Sequence, residues 1–123
     1  MDAPHALADL VVAFPQVEAA SVFDRDNRPL GSVGVSDWWA TAAVRASRTL
    51  LEDAGGLRGV GEATQVHASL AGGDVFVVGK DGGPAILAVT EAGQPAGLLF
   101  YDLKRCLASI VGAQNEGISE VTE

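Results

Sequence analysis

Two short runs constrain this chain more than any other feature: Val75-Phe76-Val77-Val78 and Ala85-Ile86-Leu87-Ala88-Val89 are apolar at every position. A strand with one wet face alternates, whereas a strand covered on both sides does not need to. These runs therefore read as central strands of a sheet. Gly72-Gly73-Asp74 leads into the first, and Asp81-Gly82-Gly83 joins it to the second, as hairpin turns do. The segment before them behaves differently. From Thr64 to Leu70 the chain alternates strictly, with Val66, Ala68 and Leu70 on one side and Gln65, His67 and Ser69 on the other. Such a strand has a wet face, or lies where something other than its own core covers it.

A further strand pair is expected upstream. Val17 to Phe23 is β-like, Asp24-Arg25-Asp26-Asn27-Arg28-Pro29 is a polar turn, and Leu30 to Val35 returns as the second strand. Three stretches carry helical periodicity. Leu7, Leu10, Val11 and Phe14 form one stripe, with Asp2 and Pro4 suited to its first turn and Pro15 stopping it. The middle helix is expected from Trp38 to about Ala54, capped by Ser36 or Asp37 and ended by Gly55-Gly56. On it Thr41, Arg45, Arg48 and Glu52 make a polar stripe. Trp39, Ala40, Ala43, Val44, Ala46, Ser47, Leu50, Leu51 and Ala54 make an arc wider than the ~100° needed to face one sheet. The surplus of small residues leaves room for another helix. The last helix is expected from Ala96 to Val111, burying Leu99, Leu103, Cys106, Leu107 and Ile110, and ending at Gly112.

The order is αββαβββα, an α+β domain over residues 1–112. An acidic tail over 113–123, with Glu116, Glu120 and Glu123, is expected to be disordered. A chain of 123 residues with 48% hydrophobic and 20% charged residues supports one core without disulfides or structural metal. Its single cysteine fits a reducing compartment. With sixteen acidic against eight basic residues, the net charge of −8 disfavours a nucleic-acid backbone as partner. No apolar run approaches the length of a membrane span, and the start MDAPHALADL is not a signal peptide, so a cytoplasmic location is expected.

The residues that carry chemistry are sparse. His5 is expected in an unordered start and His67 in mid-strand, with no nearby His, Cys or carboxylate at metal spacing. As a base or ligand His67 would lack partners; a surface or interface histidine is the plainer reading. Cys106 lies in an apolar stripe, where a thiol behaves as a small hydrophobe. The glycine clusters at 55–61 and 79–83 match no phosphate-binding pattern and do not open a helix after a strand. Asp24 and Asp26 sit in a turn, which favours aspartate for local backbone bonds. No serine stands in a G-x-S-x-G setting. The expectation is no enzyme, no cofactor and no metal site.

The hairpin from Val17 to Leu30, the closing segment Gly97-Leu98-Leu99-Phe100-Tyr101-Asp102-Leu103 and the element order together resemble the roadblock family, named for a dynein-associated light chain. The likeness is to its bacterial type and spans roughly Leu7 to Ile110. Where family members typically place a glycine in the hairpin turn, this chain has Asn27, which tolerates left-handed angles. The resemblance implies a three-layer α/β/α fold. Its five-stranded antiparallel sheet would carry the middle helix on one face and both terminal helices on the other. It also implies a homodimer, or a heterodimer with a roadblock paralogue, in which the third strand and the middle helix meet their counterparts. The interface would use Ala40, Ala43, Val44, Ser47, Leu51, Gln65, His67 and Ser69. Family members commonly bind small Ras-like GTPases as regulators or scaffolds, so Thr41, Arg45, Arg48 and Glu52 are the implied partner-binding positions. The alternative is a small-molecule sensor of profilin-like or PAS-like architecture, holding a ligand between sheet and helix.

Overall fold

A computed structural model describes residues 2–34, 36–57, 65–79 and 83–122, with side chains of 37–39 and 111–122 outside that description. The elements are α1 (Ala3–Ala13), β1 (Val17–Phe23), β2 (Pro29–Val33), α2 (Asp37–Gly56), β3 (Gln65–Leu70), β4 (Gly73–Gly79), β5 (Ala85–Thr90) and α3 (Ala96–Thr122). The strands form one antiparallel sheet in the order β2-β1-β5-β4-β3. The expected order αββαβββα and the five-stranded sheet are thus both present.

Local chemistry explains the boundaries. The Asp2 carboxylate accepts from the His5 N–H at 3.0 Å and caps α1, with Pro4 in the first turn. His5 therefore belongs to a capped helix rather than an unordered start. Phe14 closes the helix by donating its N–H to Leu10 O at 2.8 Å, just before Pro15. In the β1–β2 turn Asp24 Oδ1 accepts from the N–H groups of Asp26 and Arg28, each at 2.9 Å. Asn27 takes φ 65°, the left-handed conformation that Asn tolerates better than most residues.

Alternate side chains of the sheet feed two cores. On one face Ala20, Val22, Phe76, Val78, Ile86 and Ala88 pack with Leu7 and Leu10 of α1 and Leu99, Leu103 and Ile110 of α3. On the other, Phe23, Val77, Ala85 and Leu87 pack with Val44 and Leu51 of α2. The three layers follow directly. Gly79 serves the second core by absence of a side chain, since a Cβ there would lie 2.9 Å from Leu51 Cδ1.

Three boundaries differ from the sequence reading. β2 begins at Pro29 and stops at Val33, because Gly34 takes φ 74° and turns the chain; Val35 lies outside the described residues. α2 includes Gly55 and Gly56. The expected stop of the last helix at Gly112 does not occur, and α3 runs to Thr122. Gly112 and Gly117 each cost the helix about 1 kcal/mol, which weakens it without breaking it, and no proline follows to stop it. The Trp38 and Trp39 side chains, Thr64, the linker 58–64 and the turn residues 80–82 fall outside the described parts.

Candidate interaction surfaces

β3 pairs with β4 alone and forms one edge of the sheet. Its alternation holds from Gln65 to Ser69, with Val66 and Ala68 half-buried and Gln65, His67 and Ser69 exposed, but Leu70, expected beside Val66 and Ala68, is exposed. An edge strand presents a row of backbone donors and acceptors that a second chain can complete.

His67 is held more firmly than the sequence suggests. Its ring stacks on Phe76 with centroids 4.3 Å apart and planes 8° from parallel, and Phe100 of α3 meets it edge-on at 6.5 Å. His67 Nε2 stands 3.4 Å from Asp74 Oδ2, with the histidine side chain 29% exposed and the aspartate only 3%. A carboxylate that the sequence spacing around His67 does not announce therefore stands beside it, though no metal-binding group of three or more is formed among the described residues. The β3–β4 register sets Phe76 opposite His67 and Asp74 opposite Ser69, so the hairpin brings Asp74 within reach. Its signal was available: the Gly72-Gly73 turn fixes the hairpin, and pairing backward from it places Asp74 one step along the same face. Among the described residues Asp74 Oδ1 has no hydrogen-bond partner.

The α2 positions divide. Ala40, Val44, Ser47 and Leu51, expected at a dimer interface, are buried within this chain. Val44 and Leu51 belong to the core under α2, and Ser47 Oγ donates to Ala43 O at 2.7 Å. Periodicity cannot tell an inner apolar stripe from an intermolecular one, and the sheet takes the bulkier set. Ala43 is half-buried. What α2 leaves outside is Thr41, Ala42, Arg45, Ala46, Thr49, Leu50, Glu52 and Asp53, still rich in small residues.

Arg48 departs most from expectation. It is only 7% exposed and does not share the outward stripe with Thr41, Arg45 and Glu52. Its Nε donates to Asn27 Oδ1 at 3.1 Å, and Nη2 donates to Asp24 O at 3.1 Å and Gly83 O at 3.4 Å. The guanidinium also lies 5.3 Å from the Phe23 ring centroid. Its carbonyl and amide acceptors, 21 to 35 residues away in sequence, make an interior position tolerable for a permanent cation.

The remaining chemical groups are quiet. Cys106 is buried in the core between α1, α3 and the sheet, and burial, with a smaller contribution from Asp9, pushes its thiol up to about 11. Asp2 is held below the usual carboxylate range by its backbone and side-chain bonds to His5. A shallow groove of about 230 Å³ runs between α1 and α3 over Leu10 and Cys106, with Asp9, Asp102 and Arg105 among its lining residues. It is not the sheet–helix cavity that a sensor reading expects. Among the described residues no group of three or more His, Cys, Asp or Glu is placed to hold a metal, and no helix is long and apolar enough to cross a membrane.

Three helices enclosing this antiparallel sheet give the chain a profilin-like fold. Within that fold class the chain has the fold of the Roadblock/LC7 domain. It superposes on such a domain from Streptomyces avermitilis with a TM-score of 0.78 and 19% identity, covering 93% of this chain and 98% of that one. The gliding protein MglB from Thermus thermophilus gives 0.72 and 14%, over 91% and 87%. LokiProfilin2, in its complex with rabbit actin, gives 0.63 and 14%, over 88% and 94%. No family sequence model matches the chain. No curated protein matches it at the sequence level.

Proposed function

We propose that this chain is a dimeric, non-enzymatic regulator or scaffold that binds a small Ras-like GTPase. The observation that carries the reading is the open β3 edge on a sheet whose α2 layer keeps a small-residue outer face. A second copy, or a roadblock paralogue, completes the edge through the backbone of β3, with Gln65, His67 and Ser69 on the joined face. Ala43 and the outward alanines Ala42 and Ala46 let the paired helices approach. The GTPase then meets the exposed side of α2, where Thr41, Arg45 and Glu52 are available. Arg48 has no part in that contact, because its guanidinium is committed inside the chain. The likeness to a profilin in complex with actin adds a case in which this scaffold holds a protein partner.

The test is a pull-down against the GTPases of the source organism, comparing wild type with Arg45→Glu. Recovery of a GTPase by wild type and its loss in the variant supports the reading. Equal recovery by both removes the α2 surface, and no recovery by wild type removes the GTPase.

A further inference from the structure

Arg48 of α2 bonds the β1–β2 turn that carries Arg25 and Arg28, and Arg45 precedes it on α2 by one helical turn. Four of the eight basic residues of this acidic chain thus lie on the turn or on the stretch of α2 that holds it. Arg48 makes this corner rigid. It holds the Asp24 carbonyl and the Asn27 side chain from below, and Arg25 and Arg28 are the chain neighbours of those two residues. Arg45 stands one helical turn before Arg48 and is exposed, as are Arg25 and Arg28. None of these three guanidinium groups has an ion-pair partner among the described residues.

The carboxylates of the corner do not cancel this charge. Asp24 Oδ1 is turned into the turn, where it accepts the Asp26 and Arg28 N–H groups. Asp26 is exposed. Four arginines against Asp24, Asp26 and Glu52, which follows Arg48 by one helical turn, leave a local excess of one positive charge in a chain whose total is −8.

We propose that this corner is a docking site for a short carboxylate-rich segment of a protein partner. The inference deepens the reading given above and rests on it only for the partner's identity. Arginine presents a planar fork of donors that matches a carboxylate in a bidentate pair. The turn is already ordered by its aspartate bonds, its left-handed Asn27 and the Arg48 clamp, so little ordering is lost on binding. Length is selected by the rest of the surface. The Debye length is about 8 Å at physiological salt, so a short acidic segment feels mainly the corner. An extended polyanion such as a membrane surface or a nucleic acid would also meet the acidic remainder and be repelled.

The probe is a fluorescein-labelled deca-glutamate peptide followed by anisotropy at low salt, with deca-lysine as control. Wild type is expected to bind the glutamate peptide saturably and to lose it as salt rises. Arg25→Glu with Arg28→Glu is expected to bind about tenfold more weakly, since two exposed pairs become repulsions. Arg25→Gln with Arg28→Gln should fall between, and unchanged urea midpoints exclude misfolding as the cause. Absence of saturable binding by wild type overturns the proposal. Equal binding by the charge-reversed protein does so too, as does stronger binding to phosphatidylserine vesicles than to the peptide. The assay contains no GTPase, so its failure is separate from failure of the function proposed above.

Discussion

Arg48 Nε donates to Asn27 Oδ1 at 3.1 Å, joining the middle helix to a turn residue whose own backbone is left-handed. Each residue depends on the other. Asn27 is suited to φ 65° and offers the acceptor, and Arg48 fills the space over Phe23 while holding the turn's carbonyl. The corner of the molecule is fixed by this pair.

Replacing Arg48 by Ala removes the hydrogen bonds to Asn27 Oδ1 and to the Asp24 and Gly83 carbonyls, leaving the Asp24 carbonyl with the Asn27 N–H alone. The expected cost is about 2–4 kcal/mol by urea denaturation, the range for breaking a buried bonding network. Arg48→Met keeps the stem's packing and should cost less. A loss below about 0.5 kcal/mol, the scatter of ordinary surface substitutions, would mean the clamp is not structural.

Asn27→Ala should destabilise by about 1–2 kcal/mol, because a Cβ-bearing residue without Asn's local bonding pays the left-handed penalty and the Arg48 acceptor is lost. Asn27→Gly relieves the backbone but still loses the acceptor, so it should fall between wild type and Ala. Equilibrium unfolding of the three proteins gives the order directly.

These two residues also show how far the sequence reaches. Asn27 was legible, because a polar turn between two β-like runs announces a hairpin and Asn suits a left-handed position. Arg48 was not. Periodicity places a charge outside by default, and only the fold reveals acceptors that lie 21 to 35 residues away. The buried stripe of α3 from Leu99 to Ile110 was readable at every position, since apolar spacing reports which side of a helix faces a core. Spacing does not say whose core is faced: Ala40, Val44, Ser47 and Leu51, which the family resemblance implies at a partner interface, are buried within this chain. His67 was seen, but Asp74 beside it needed the hairpin register as well as the residue types.

Cys106 predicts a pH effect. Its thiol is raised from 9.0 to about 11 in the fold, chiefly by burial, so the folded state favours the neutral form. The stability this gives is fully present below pH 9.0, and is lost as pH rises toward 11 because the unfolded chain ionises first. Urea midpoints measured between pH 8 and 11 should therefore fall more steeply for wild type than for Cys106→Ala. Parallel curves would contradict it. At pH 8 the native thiol should also react with Ellman's reagent far more slowly than the denatured one.

The central claim is that the β3 edge is completed by a second copy or a close relative. Light scattering at micromolar concentration, on wild type and on Gln65→Lys with Ser69→Lys, tests it most directly. Lysines on an edge repel a second edge without disturbing the pairing of β3 with β4. Wild type is expected at twice the 12.6 kDa chain mass and the variant at the single mass, with unchanged circular dichroism. A wild type that is monomeric alone and with its roadblock paralogues, or a variant that stays dimeric, would contradict the account.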